Sequence, residues 1–250
     1  MIHTKLIVAM TTFLFLPGII AGQEAREMVK LADEKARGNT SKGVVTITTV
    51  RPTWSREMTI KSWSKGNDLA LILVTAPVKE KGVVFLKRGK EVWNWIPTIE
   101  RNVKMPPSMM NQSWMGTDFT NDDLVKEASI IEDYTHRFIG DTVMDGRSCK
   151  KIEMIPKPEA AVVWGKIYLC IDRKDYLMLY AEYFDEEGEL INIMRSGDIR
   201  LLGGRLLPSV MEMVPADKKG HKTILTYTSM EFNQPIDDSF FTVQNMTRVK

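Results

Sequence analysis

Apolar positions change their period once along the chain. From Glu24 to Arg37 they recur every three or four residues, at Ala25, Met28, Val29, Ala32 and Ala36, which predicts an amphipathic helix that Gly38 ends. Beyond Gly38 the period becomes two, in β-branched and aromatic runs divided by Gly, Pro, Asn and Asp, the pattern of strands. Five strands are expected in the first half, over 44–50, 54–64, 69–76, 83–88 and 91–96. Six more follow over 146–155, 162–172, 175–186, 189–202, 205–215 and 221–232, an antiparallel meander whose turns fall at Gly203-Gly204, Glu187-Gly188 and Asp217–Gly220. In 69–76 both alternating sets are apolar, so both faces of the sheet are expected to be covered there. About eleven antiparallel strands with few helices predict a mainly β fold: a strongly curved sheet or an unclosed antiparallel barrel whose concave side is filled by helices or by a ligand.

Residues 97–127 break the strand rhythm. Pro106-Pro107 suits a helix start and Gly116 its end, while Thr120 with Asp123 has capping-box spacing and predicts a second short helix. Met105, Met109, Met110 and Met115 crowd into this stretch with Trp114, and such flexible side chains suit either a lid over the open sheet or a plug in its core.

Ahead of the helix, Lys5 precedes an apolar run from Leu6 to Ile20 and then Ala21-Gly22, the form of a cleavable export signal over 1–22. The run is too short for a spanning helix, so residues 23–250 are expected to form one soluble, monomeric domain with no permanent membrane anchor. The net charge of +2, with both signs interspersed, argues against a nucleic-acid partner. Centring the Pro156–Ala161 loop between Glu159 and Ala160 sets Cys149 opposite Cys170, Glu153 opposite Lys166 and Ile155 opposite Trp164; a structural disulfide or two free buried thiols are then the alternatives.

Catalytic signatures are missing: there is no G-x-S-x-G, H-E-x-x-H, P-loop or G-x-G-x-x-G. His136 and His221 stand in polar surroundings and are expected at the surface. Asp118, Asp122 and Asp123 lack the spacing of a calcium loop. Neither an enzyme nor a metal or cofactor is expected.

Several runs carry a family resemblance: Pro77–Gly82 followed by Phe85-Leu86, Val92–Pro97, Ser108–Phe119 with Asp123-Leu124, and Ile236–Phe241. In these the chain resembles the LolA-like outer-membrane lipoprotein-sorting proteins of Gram-negative bacteria, in the LolA/LolB superfamily. The resemblance implies an unclosed barrel with a helical lid, holding a lipid or the acyl chains of a lipidated protein as it crosses the periplasm. An inner-membrane transporter is a further candidate partner. The expected lining is Trp54, Met58, Ile60, Leu71, Leu73, Phe85, Trp93 and Trp95 from strands, with Met105, Met109, Met110, Trp114, Met115 and Phe119 from the lid. Arg56 and Arg101 are the candidates for the basic residue that holds the lid in such carriers. LolB-type receptors need a cysteine directly after the cut; here Gln23 stands there and the first cysteine is Cys149, which favours a diffusing carrier or soluble subunit over an anchored receptor. The alternative is a soluble accessory or sensing subunit of an envelope transporter or stress-signalling complex.

Overall fold

The computed structural model describes residues 17–126 and 130–250. The expected export signal, 1–22, falls largely outside them. Helix α1 (Pro17–Arg37) leads into β1 (Thr40–Arg51), β2 (Trp54–Lys65), β3 (Leu69–Ala76), β4 (Val84–Arg88), β5 (Glu91–Ile96) and β6 (Arg101–Lys104). After the irregular stretch come β7 (Tyr134–Met144), β8 (Arg147–Pro156), β9 (Lys166–Asp172), β10 (Met178–Phe184), β11 (Leu190–Leu202), β12 (Arg205–Pro215) and β13 (Lys222–Phe232). All thirteen belong to one antiparallel sheet in the order β6-β5-β4-β3-β2-β1-β13-β12-β11-β10-β9-β8-β7. Joining β1 to β13 brings the two ends of the strand-bearing chain together at mid-sheet, and β6 and β7 remain as edges, so the barrel is not closed. No helix among the described residues is long and apolar enough to cross a membrane.

The strands follow the alternation that predicted them, and the Gly203-Gly204 turn has positive φ at both residues, as a tight hairpin between Leu202 and Arg205 requires. The turn expected at Glu187-Gly188 is longer, spanning 185–189, and the Asp185 carboxylate accepts from the Glu189 amide. Two strands escaped the alternation: β6, whose residues are all exposed, and β7, whose polar run is interrupted by a bulge between Phe138 and Gly140.

The β8–β9 register differs from the expected one. Trp164 leaves the ladder, its side chain buried in the concave core and its indole donating to Asp123 at 2.8 Å, and β9 starts only after Gly165, whose amide binds the Phe184 carbonyl. The lengthened turn slips the pairing by two residues, so Cys149 faces Asp172, Lys151 faces Cys170 and Glu153 faces Tyr168. Glu153 is ion-paired instead with Arg137 on β7 (2.6 Å). The cysteines lie diagonally in a small cluster with Leu177 and Leu179; both are free thiols, and burial pushes both above the usual thiol range.

Two apolar layers flank the sheet. On the concave face Ala25, Val29 and Ala32 of α1 join Val45, Ile47, Ile152, Met154, Leu169 and Met213 in the main core. On the convex face Leu71, Leu73, Val84 and Leu86 are covered by the C-terminal segment through Phe241 and Met246. That segment is clasped by Lys65, which donates to the Ile236 carbonyl and pairs with Asp238, and by Arg88, which donates to the Phe241 carbonyl. The apolar face of 69–76 that no helix covers is thus closed by the chain's own end.

Candidate ligand-binding face

The concave face has two halves, one filled and one open. The filled half holds the methionine-rich stretch. Instead of the expected helix between Pro106 and Gly116, two short 3-10 turns form, Pro107–Met109 and Trp114–Gly116, with positive φ at Met115 and Gly116. A tight loop results, in which the Trp114 amide donates to the Phe119 carbonyl at 2.8 Å. This loop drives Trp114 and Phe119 inward together, where they pack with Met105, Met110, Met58, Ile60 and Phe85 in one buried cluster. The Trp114 and Phe85 rings lie 5.5 Å apart. Met109 and Met115 pack on this cluster from its margin.

Five expected lining residues are not brought to this face. Leu71, Leu73, Trp93 and Trp95 belong to the convex layer, because register pairs Ile60 with Val74 and Ser62 with Ile72 and so turns the even-numbered side of β3 inward. In β5 the inward apolar residue is Val92. Trp54, at the tip of the β1–β2 hairpin, is half exposed beneath the Arg51 guanidinium.

Polar clips fix the loop across the strand ends. Arg51 donates to Asp118 at 3.0 Å and to the Gly116 carbonyl at 3.0 Å; Thr223 on β13 donates to Asp118 at 2.7 Å and accepts from the Asp118 amide. Arg56 donates to the Met115 carbonyl and pairs with Glu80 at 3.5 Å, whereas Arg101 lies exposed on β6. Of the two candidates for holding the loop, Arg56 is the one that touches it. Arg51, which no motif singled out, does the larger share with Asp118.

The capping box at Thr120 forms in both directions: the Thr120 amide donates to the Asp123 carboxylate at 2.8 Å, and the Asp123 amide donates to the Thr120 hydroxyl at 3.1 Å. It opens a single π-turn, Asp122–Lys126. Asp123 is buried against Trp164, Tyr134 and Tyr183, and that burial holds its carboxyl above the ordinary carboxylate range despite the opposing hydrogen bonds from Thr120 and Trp164. The folded state therefore binds this proton more tightly than the unfolded chain, so the contribution of Asp123 to stability falls as pH rises through the window between the two values. Urea denaturation of Asp123→Asn beside the unaltered protein is expected to show the difference shifting in the variant's favour as pH rises above about 4, the ordinary aspartate value; a constant difference would contradict the assignment. His136, expected at the surface, is buried instead: it stands on the α1 side of β7 with Nε2 at 2.7 Å from the Ile130 carbonyl, and burial lowers its pKa.

The open half is a trough of about 250 Å³ between the C-terminal part of α1 and the sheet. It exists because the facing positions are small: Ala32 and Ala36 on α1 look onto Ser41, Ser62, Ser64 and Ala70. Its walls are apolar, with Ile72, Leu124, Met178, Leu207, Met211 and Met230. None of the residues expected to line a cavity borders it. Serines and alanines within strands carry no signal of a void in an isolated sequence; the void follows from their meeting across the sheet.

A family model described as an uncharacterized protein matches residues 66–248, and three solved structures superpose on nearly the whole chain. The chain belongs to that family and has the LolA-like fold. A LolA superfamily protein from Nitrosomonas europaea is 21% identical, with 88% of this chain and 98% of that one covered and a TM-score of 0.76. A DUF1329 family protein from Desulfovibrio piger is 18% identical over 90% of this chain and 99% of that one, with a TM-score of 0.81. A domain described as an outer membrane lipoprotein-sorting protein, from Vibrio parahaemolyticus, is 18% identical over 91% and 100% of the two chains, also with a TM-score of 0.81. No curated protein matches in sequence. In the LolA-like frame the loop at 105–119 and helix α1 both occupy the concave side, one filling it and the other leaving space.

Proposed function

We propose that this LolA-like protein is a carrier or chaperone that receives a lipid, or the acyl chains of a lipidated protein, on its concave face and performs no catalysis. The observation that carries the proposal is the composition of that face: an open apolar trough beside a half closed by a loop that inserts methionines, Trp114 and Phe119. Acyl chains need a dry and adaptable surface more than a few fixed polar contacts. The fold shared with the Vibrio parahaemolyticus domain described as lipoprotein-sorting, and with a LolA superfamily protein, supports the same reading. In it the protein works in the periplasm as a monomer after loss of 1–22, residues 23–250 form the one working domain, and an inner-membrane transporter is a partner. Native mass spectrometry of the protein purified from the periplasm, followed by lipid extraction, is expected to show a population carrying a lipid-sized adduct. Protein free of adducts that also takes up no added lipid would overturn the proposal.

One observation favours a second reading, a soluble accessory or sensing subunit. Val78 (90% exposed), Ile99 (55%) and Trp54 (50%) are exposed large apolar groups at the β3–β4 connection, the β5–β6 turn and the start of β2, which register places at one rim of the sheet, a surface suited to a protein contact. Stable co-purification with an inner-membrane protein, without bound lipid, would select this reading.

A further inference from the structure

The trough is small and the filled half is firmly closed, and together these restrict what the concave face accepts. We infer that the α1 trough is a site for a single acyl chain, with the head of the molecule at Asp33 and Arg37, and that multiply acylated cargo is not its ligand. This deepens the carrier reading by naming the substrate class.

Size is the first argument. About 250 Å³ lies just under the range of about 300–1,000 Å³ that encloses drug-sized ligands, so one chain of medium length fits and three chains do not. Extension into the other half is blocked, because Trp114 and Phe119 fill it and the loop carrying them is held by Arg51, Arg56 and Thr223. The lining is the second: the space is a cleft between α1 and the sheet, bordered by residues of β1, β2, β3 and β10 to β13, with methionine walls at Met178, Met211 and Met230 that adjust to a flexible chain. Polarity is the third. The charged members of the lining are Asp33 and Arg37, both from the last turns of α1, and they pair with each other at 3.1 Å. A polar head placed there meets charge and hydrogen-bonding groups, while the chain runs along the apolar wall.

A single acyl chain arises either as a free fatty acid or within a lysophospholipid, and the test separates these. Binding of dodecanoate, dodecanoyl lysophosphatidylcholine and a tripalmitoylated lipopeptide is measured by isothermal titration on the full chain, with Ser62→Leu, which fills the floor, and Ala36→Leu, which narrows the mouth. Circular dichroism confirms that each variant is folded. At least one single-chain ligand is expected to bind at least tenfold more tightly than the lipopeptide, and to lose at least tenfold in affinity in each folded variant. Preference for dodecanoate identifies a fatty acid, and preference for the lysolipid identifies a phospholipid source. Met211→Ala, which enlarges the trough, is expected to shift the preference toward larger chains and serves if both filling variants misfold. Lipopeptide binding that equals or exceeds single-chain binding and is indifferent to trough variants would overturn this inference and leave the carrier reading standing. Failure of all three ligands to bind would overturn both.

Discussion

Replacing Trp114 by alanine is expected to cost about 3–5 kcal/mol of folding stability, the range for truncating a fully buried large aromatic, and to lower the melting temperature by roughly 10 °C. Trp114 is 0% exposed and heads the fully buried side chains by volume among the described residues. Its ring meets Phe85 and completes the cluster with Met58, Ile60, Met105 and Met110. Nothing of comparable size stands ready to fill the void. The indole nitrogen, however, has no hydrogen-bond partner in this cluster. Trp114→Phe therefore removes a buried unpaired donor along with one ring, and is expected to cost less than half as much as the alanine variant. Urea denaturation of both variants checks the pair. An alanine variant within about 1 kcal/mol of the unaltered protein would show that the loop does not plug the sheet.

The second large effect is expected at the clip. Asp118 and Arg51 are both largely buried, with side chains 6% and 11% exposed, and Asp118 also engages Thr223 and, through its carbonyl, Asn192. Asp118→Ala leaves the guanidinium buried without its counter-charge, which is expected to cost roughly 3–5 kcal/mol. Joint replacement with Arg51→Met and Asp118→Leu is expected to recover at least half of that loss, since the penalty is the stranded charge more than the missing attraction. The same single variant should release the loop from the strand ends, so limited proteolysis is expected to cut first within 105–119. A variant that loses stability without any change in the cleavage pattern would separate the clip from the loop.

Much of the fold was legible in the sequence because strand periodicity and turn chemistry agree. The 69–76 and 91–96 strands coincide with β3 and β5, and the capping box at Thr120 forms as its spacing indicates. The site was less legible. Within β3 both alternating sets are apolar, so nothing local says whether Leu71 and Leu73 or Ile72 and Val74 turn inward. The choice is made by register with β2 and by the C-terminal segment, whose Phe240-Phe241 needs an apolar surface to cover. Trp93 and Trp95 follow the same logic, because the bulkier residues of β5 lie under that cover. The slip of β8 against β9 arises from Trp164, whose indole is drawn to Asp123 far away in sequence. The trough was invisible for a different reason: small residues are read as neutral along a strand, and only the facing alanines of α1 make them a cavity.

The measurement that bears most directly on an acyl-binding concave face is photolabelling with a diazirine-bearing fatty acyl chain, followed by peptide mapping of the attachment sites. Attachment is expected on trough residues such as Ile72, Leu207 and Met211, and it should be competed away by an excess of unlabelled chain. Attachment confined to the convex layer or the exposed rim, or labelling that no competitor reduces, would contradict it.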